Sequence, residues 1–557
     1  MKITASTMFI KKLNSHQFVN TNSLITCNLN SLPSDIVSFG KTNVFEKNKK
    51  LFDNYNPQIK DFTAYKIPVH NEKIANYLKP SYTLEEFNKL FDFADKNGTF
   101  DFNVNTKTGF VQTSLINPKE NPLMSKLVWV TDSCNLLPLL KDKYPEMCVP
   151  LMENMSKYYA RQQKAFDLII NNPLLFDLNK EYAGTAKNGV GHVFNPNSGV
   201  SHKWFARTRL DSMGLYINSM CDLITDGVNG KDYGYKSSQA VSKNSVESIA
   251  NSMKYLQKIV YPYAKDCGPW EEKTFEYTAS SDVAIINEAY RKIIDLMYSP
   301  TDNKEILLLR KRLLGAKNGD VFKNEKAIRE MLAVGEYRIK TNSQQEFPFE
   351  RELDGAMSFI FKTEKFNSDV NKNAKEVFKR LKKLEKGTKT SKEIVRDSGV
   401  IRYVNDKYLY LNSDITGGKS EYNPQRKFPP KTEAQWFMTN NIAIGYGVVA
   451  KDLLEKINKD NKVSEETLRL LDYALTKETE FINRAYARLT GENSYKANGK
   501  ISPSFQVPEA YQAVNDSKGN IKFVPGTHTP LAWGQVTLYE ASKLFQENLK
   551  NFEKLSL

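Results

Sequence analysis

At 557 residues, with 40% hydrophobic and 26% charged side chains, the sequence has the composition of an ordinary globular protein with a large core, and no apolar run reaches membrane-spanning length. Its five cysteines, Cys27, Cys134, Cys148, Cys221 and Cys267, form no CxxC pair and no even framework, which argues against a disulfide scaffold and a zinc site and fits a reducing compartment. The formal charge of +15 comes from lysines spread along the chain, dense only from Lys375 to Lys392 and never interleaved with aromatics in one cluster, so a nucleic-acid partner is not indicated.

Residues 1 to about 60 are rich in Asn, Ser and Lys with weak periodicity, and residues 1–64 are expected to form a poorly ordered arm or one laid over the body. Lys11-Lys12 is not followed by a continuous apolar segment and a small-residue cleavage site, so a cytoplasmic protein with no membrane partner is expected. Residues 65–557 are expected to form one domain. From about residue 80 the pattern is helical, opening with Leu84, Phe87, Leu90, Phe91 and Ala94 at three- and four-residue spacing. Further helices are predicted near 134–143, 147–170, 210–225, 243–262, 280–298, 304–315, 352–363, 371–386, 433–457, 464–490 and 530–554. In the stretch after Ser464 a capping serine precedes a stripe of Leu468, Leu471, Leu475, Ile482, Ala485 and Leu489. The lysine-rich run reads as a solvated surface helix.

The tryptophans supply a second regularity. Trp129, Trp204, Trp270, Trp436 and Trp533 each fall at a loop or a predicted helix start, and Glu352-Leu353-Asp354-Gly355 is another acidic helix start between them. These six positions recur at roughly 65 to 100 residues, the length of two helices and a loop. Six helical hairpins closed in a ring make an all-α (α/α)6 barrel, in which the loops leading into the inner helices meet at one end as an aromatic, carboxylate-lined pocket. Within Gly268-Pro269-Trp270-Glu271-Glu272, the Gly-Pro pair ends the preceding helical pattern. A partly desolvated Glu271 beside Trp270 and the like charge of Glu272 would hold a proton near neutrality, as a general acid must.

Six segments then occur in a familiar order: WVTDS at 129–133, RLDSMG at 209–214, GPWEE at 268–272, RYVNDKY at 402–408, PEAY at 508–511 and PLAWGQ at 530–535. In this order the sequence resembles glycoside hydrolase family 15, which includes glucoamylases and related trehalases, over roughly residues 110 to 555. The same fold forms the N-terminal part of the phosphorylase kinase α and β subunits, to which PEAY and AWGQ are closer. The resemblance implies an inverting, exo-acting hydrolase that releases glucose from an α-linked glucan or oligosaccharide. It implies Glu271 as general acid and Glu509 as general base. Substrate contacts are implied for Trp129, Asp132, Trp204, Arg209, Asp211, Trp270, Glu272, Arg402, Tyr403, Asp406, Tyr408, Trp436, Tyr511 and Trp533. Neither a cofactor nor a metal is expected.

The sequence departs from the family at Thr131, where the family has arginine, at Arg209, where it has glutamine, and at Gly268, where it has aspartate. Each change removes a hydrogen-bonding partner from the sugar site and so bears on substrate choice. The alternative is a non-catalytic glucan-binding or regulatory module like the kinase subunits. A basic nucleic-acid binder ranks behind both.

Overall fold

The computed structural model describes residues 48–102, 104–111, 113, 127–178, 190–197, 199, 209–231, 233, 241–266, 268–270, 278–341, 352–362, 369–406, 408–409, 431–460 and 463–555. Helices form where apolar residues recur every three or four positions, and side chains at their starts set the boundaries. In α1 (Leu84–Lys96) the Thr83 hydroxyl accepts from the Glu86 N–H while the Glu86 carboxylate accepts from the Thr83 N–H. Phe87, Leu90, Phe91 and Ala94 of α1 are buried as the spacing predicts.

Along the chain, outer and inner elements alternate. The inner ones are α2 (Val130–Asn135) with its continuation α3 (Leu137–Lys143), α5 (Leu210–Val228), α7 (Ser280–Tyr298), a 3-10 helix at Gly355–Lys362, α11 (Thr439–Lys459) and α13 (Ala532–Leu555). Each packs on the next in that order, and α13 packs back on α2 and α3, so the ring closes. Around it lie α1, packed on α13, α4 (Cys148–Ala160) and α6 (Lys243–Lys258) on α5, and α9 (Glu325–Thr341) on α7. The outer layer is completed by α10 (Val370–Lys386) and α12 (Glu465–Ala487), both packed on α11. The chain is therefore an all-α barrel of six helical hairpins. A short extra helix, α8 (Lys304–Gly315), is packed between α6 and α7.

Position in the ring explains how much of each helix is apolar. Inner helices are walled in on several sides: α11 buries an unbroken run from Thr439 to Gly447, and Gly214 of α5 lets α7 approach so closely that an added Cβ would lie 2.9 Å from the Ile285 side chain. Outer helices bury one stripe. In α10 this is Ala374, Val377, Phe378, Leu381 and Leu384, with exposed lysines opposite, so the lysine-rich run is the solvent face of an outer helix. Ser464 caps α12 as predicted, yet Leu468 is 50% exposed, because the buried stripe runs instead through Thr467, Leu471, Ala474 and Glu478.

Three features differ from the predicted elements. The stripe of α9 is broken by Gly335, which sits where there is no room for a side chain against Asn287 of α7, and the periodicity is too sparse to announce that helix. The fourth inner element is a 3-10 helix of eight residues rather than an α-helix. Most consequential is a five-stranded antiparallel sheet of β5 (Val395–Arg396), β6 (Gly399–Ile401), β7 (Gln435–Trp436), β8 (Ala510–Asn515) and β9 (Ile521–Pro525). Val400 pairs with Trp436, Trp436 with Ala510 and Tyr511 with Pro525, so the connection between α10 and α11 is laid beside the one between α12 and α13.

Residues 48–69 lie on this body. Phe52 is buried with Ala497, Val514 and Val524, Ser517 donates to Asp53, and a small β1–β2 hairpin (Gln58–Asp61 with Lys66–Val69) follows.

Candidate active site

The segments that precede the inner elements carry buried carboxylates, and these bind the backbone of neighbouring segments. Asp266 accepts from the Leu210 N–H at the start of α5 (2.7 Å) and from the Gly268 N–H (3.1 Å), which shapes the turn into Pro269 and Trp270. Gly268 has φ +61°, a conformation that glycine adopts without strain. Asp354 accepts from the Ala356 N–H at the start of the 3-10 helix (2.8 Å) and from the Trp270 indole N–H (2.7 Å). First turns of three inner helices repeat one composition: Thr131-Asp132-Ser133, Asp211-Ser212 and Ser280-Ser281-Asp282, all buried at the end where the helix dipole favours negative charge.

Around Arg402, just after β6, these segments converge. Its guanidinium makes a two-pronged bond to Asp406, Nε to Oδ2 at 2.7 Å and Nη2 to Oδ1 at 2.6 Å, with the side chains 3% and 0% exposed. Aromatic faces enclose the cation, with ring centres at 4.7 Å for Tyr408 and 5.5 Å each for Trp270, Tyr403 and Trp436. Trp270 and Trp436 approach to 5.4 Å, and Trp270 reaches Trp533 through Phe359, which stacks on Trp533 at 4.9 Å. Nearby, Asn405 donates its N–H to Glu433 Oε1 at 3.0 Å. Glu433 Oε2 and the Trp436 indole N–H are buried and have no hydrogen-bond partner among the described residues, polar atoms that suit a hydroxyl-rich ligand.

Glu509 lies one strand away, directly before β8. Phe437 donates its N–H to the Glu509 carbonyl (3.2 Å), which fixes this residue beside the strand of Trp436. The imidazole of His528 stands 2.7 Å from Glu509 Oε2 through Nδ1. Burial lowers the His528 pKa, but the adjacent Glu509 charge outweighs it, and the net shift is upward. On the other side of the ring, Arg209 pairs with Asp211, and both are buried. Burial, then the neighbouring carboxylates of Asp266 and Asp211, raise the pKa of Asp282 well above the usual range.

Of the residues expected in the site, Trp270, Arg402, Tyr403, Asp406, Tyr408 and Trp436 form one cluster, and Trp533 joins it through Phe359. Asp406 serves that cluster as the partner of Arg402. Trp129 ends β3 (Val128–Trp129), which pairs with β4 (Val193–Phe194), and it packs on Leu127 and Val193, with Asp132 one turn further on. Tyr511 is fully buried in a second cluster, stacked on His70 at 3.9 Å and donating to the Arg488 carbonyl at 2.7 Å. Trp204, Glu271 and Glu272 lie outside the described residues. Sequence reasoning singled out the stretches that hold Asp266 and Asp354 without giving either residue a role, and it missed Asp282, Phe359, Glu433 and His528. The repeated Asp and Ser in the first turns could have marked Asp282, whereas nothing local marks His528. Among the described residues no helix is long and apolar enough to cross a membrane, and no group of three His, Cys, Asp or Glu is arranged to hold a metal.

No family model and no curated protein matches the sequence. Among solved structures, the chain is similar to a glucoamylase from Saccharomycopsis fibuligera, at 15% identity and a TM-score of 0.49 over 88% of this chain and 98% of that chain. It is also similar to a wild-type glycosidase, at 12% identity and a TM-score of 0.44 over 84% of this chain and 98% of that chain.

Proposed function

We propose that the protein is a glycoside hydrolase that releases glucose from the non-reducing ends of α-linked glucans or oligosaccharides with inversion, Glu271 acting as general acid and Glu509 as general base. The observation that carries this reading is the convergence of the motif residues: Trp270 from the connection before α7 and Tyr408 and Trp436 from the connection before α11 close on the buried Arg402–Asp406 pair, with Glu509 directly before the strand that pairs with that of Trp436. Aromatic faces suit the apolar faces of sugar rings, and the unpartnered Glu433 oxygen and Trp436 N–H suit hydroxyls. Trp129, Asp132, Arg209, Asp211, Trp204, Glu272, Tyr511 and Trp533 are assigned substrate contacts from their motif positions alone.

In this mechanism the acid protonates the glycosidic oxygen as the bond from the anomeric carbon breaks, while Glu509 takes a proton from the water that attacks the opposite face. The carboxyl groups would stand about 6.5–9.5 Å apart, leaving room for that water. Incubation with maltooligosaccharides, isomaltose and trehalose, followed by proton NMR, is expected to show β-glucose as the first product. Initial release of α-glucose would exclude inversion, and a folded protein that binds glucan without releasing glucose would identify a glucan-binding module instead.

A further inference from the structure

Glu509 is held twice by the same residue. Its backbone N–H donates to the carbonyl of His528 (3.0 Å), and its side-chain Oε2 meets the Nδ1 of that same histidine (2.7 Å). His528 lies in the connection between β9 and α13, and the connection is itself pinned. Gly526 donates its N–H to the Ala510 carbonyl (2.8 Å), the Thr529 hydroxyl donates to the Gly526 carbonyl (2.8 Å), and the buried Lys496 ammonium donates to the Thr529 carbonyl (2.8 Å). Both side chains of the pair are 14% exposed, enough to reach solvent or a ligand yet too little for water to screen their attraction strongly. Oε1 of Glu509 has no hydrogen-bond partner among the described residues.

We infer that His528 is the positioning residue of Glu509: it holds Oε2 and fixes the carboxylate plane, leaving Oε1 to take the proton of the attacking water. The inference rests on Glu509 being the base. In the step itself a water O–H bond breaks, the proton passes to Oε1, the water oxygen bonds to the anomeric carbon, and the leaving oxygen receives its proton from the acid. His528 gains and loses nothing in that stoichiometry. The charged groups facing His528 are Glu509, from the start of β8, and Lys496, from the segment after α12; Arg488, at the end of α12, reaches the neighbouring Pro508 carbonyl at 3.4 Å. Of these only Glu509 favours protonated His528. Lys496 opposes it, as does burial.

The test is kcat and KM for maltooligosaccharide hydrolysis by the 557-residue chain and its His528→Gln variant. In the variant kcat should fall about 10-fold with KM within about 2-fold, since a lost positioning contact acts on the transition state rather than on ground-state binding. An unchanged kcat in folded His528→Gln would overturn the inference. Glu509→Gln separates the two layers: if it retains wild-type turnover the base assignment itself fails, whereas if it is inactive while His528→Gln behaves as wild type only the role of His528 fails. Should His528→Gln not fold, NMR titration of His528 in wild type and in Glu509→Gln decides the matter. A fall of about one unit in the histidine pKa on removing the carboxylate supports the pairing, and no change overturns it.

Discussion

Arg402 and Asp406 are both almost completely buried, so neither can be altered alone without stranding the charge of the other. The resemblance implies that Arg402 contacts sugar hydroxyls, yet two of its donors are taken by Asp406 and its faces are covered by aromatic rings. Arg402→Ala should therefore cost about 3–5 kcal/mol of stability in urea unfolding, beyond any loss of ligand affinity, because Asp406 would be left buried without a partner. A variant as stable as wild type would show that water reaches this pair freely. Glu478 presents the opposite case. It is fully buried between α11, α12 and α13, bonded to Asn548, and burial, only partly offset by that hydrogen bond, pushes its pKa up to about 8. A raised carboxyl pKa means that the folded state holds the proton more tightly. The associated stability is complete below the unfolded value near 4.5 and is lost as pH rises through about 8. Glu478→Gln should thus match wild type at pH 5 and unfold at higher denaturant than wild type at pH 9, by a few kcal/mol given about 1.4 kcal/mol per pKa unit.

At the scale of elements, legibility follows repetition. The helices with a full stripe, such as α1 and α12, were readable because burial on one face imposes a 3.6-residue period over several turns. Strands of two or three residues impose none, so β5, β6 and β7 left no trace in the sequence, although they set Arg402, Trp436 and Glu509 side by side. The same limit hid His528, which meets Glu509 only because β8 and β9 form a hairpin that returns the chain to it. Tryptophans and acidic helix starts were legible for another reason: they recur once per hairpin, and that recurrence needs no knowledge of contacts. In the segment at 48–56 Phe52 fills a site against the β8–β9 hairpin that its own flanking sequence does not announce. Phe52→Ala should cost about 3 kcal/mol, the usual range for emptying a buried aromatic site, and should speed amide exchange in 510–525 before other regions. Uniform exchange across the barrel would mean that the segment does not brace this hairpin in particular.

For the whole molecule, the ring decides what the chemistry can be. Glu271 and Glu509 belong to connections separated by more than two hundred residues, and a two-carboxylate mechanism requires that ring closure, rather than any local motif, set the distance between them. Inner elements are consecutive neighbours, and α13 returns to α2, so the connections before α7 and after α12 are placed by packing that spans the entire barrel. Division of labour between acid and base gives the sharpest test of that arrangement. A leaving group that departs without protonation does not need the acid, so Glu271→Gln should lose hydrolysis of maltose by about 100-fold or more while retaining most activity on glucosyl fluoride. Water must be activated for every substrate, so Glu509→Gln should fall on both by a comparable factor. Measured side by side under steady-state conditions, equal losses on the two substrates in Glu271→Gln would remove it from the acid role, and wild-type turnover of maltose by both variants would remove this pair of carboxylates from the chemistry altogether.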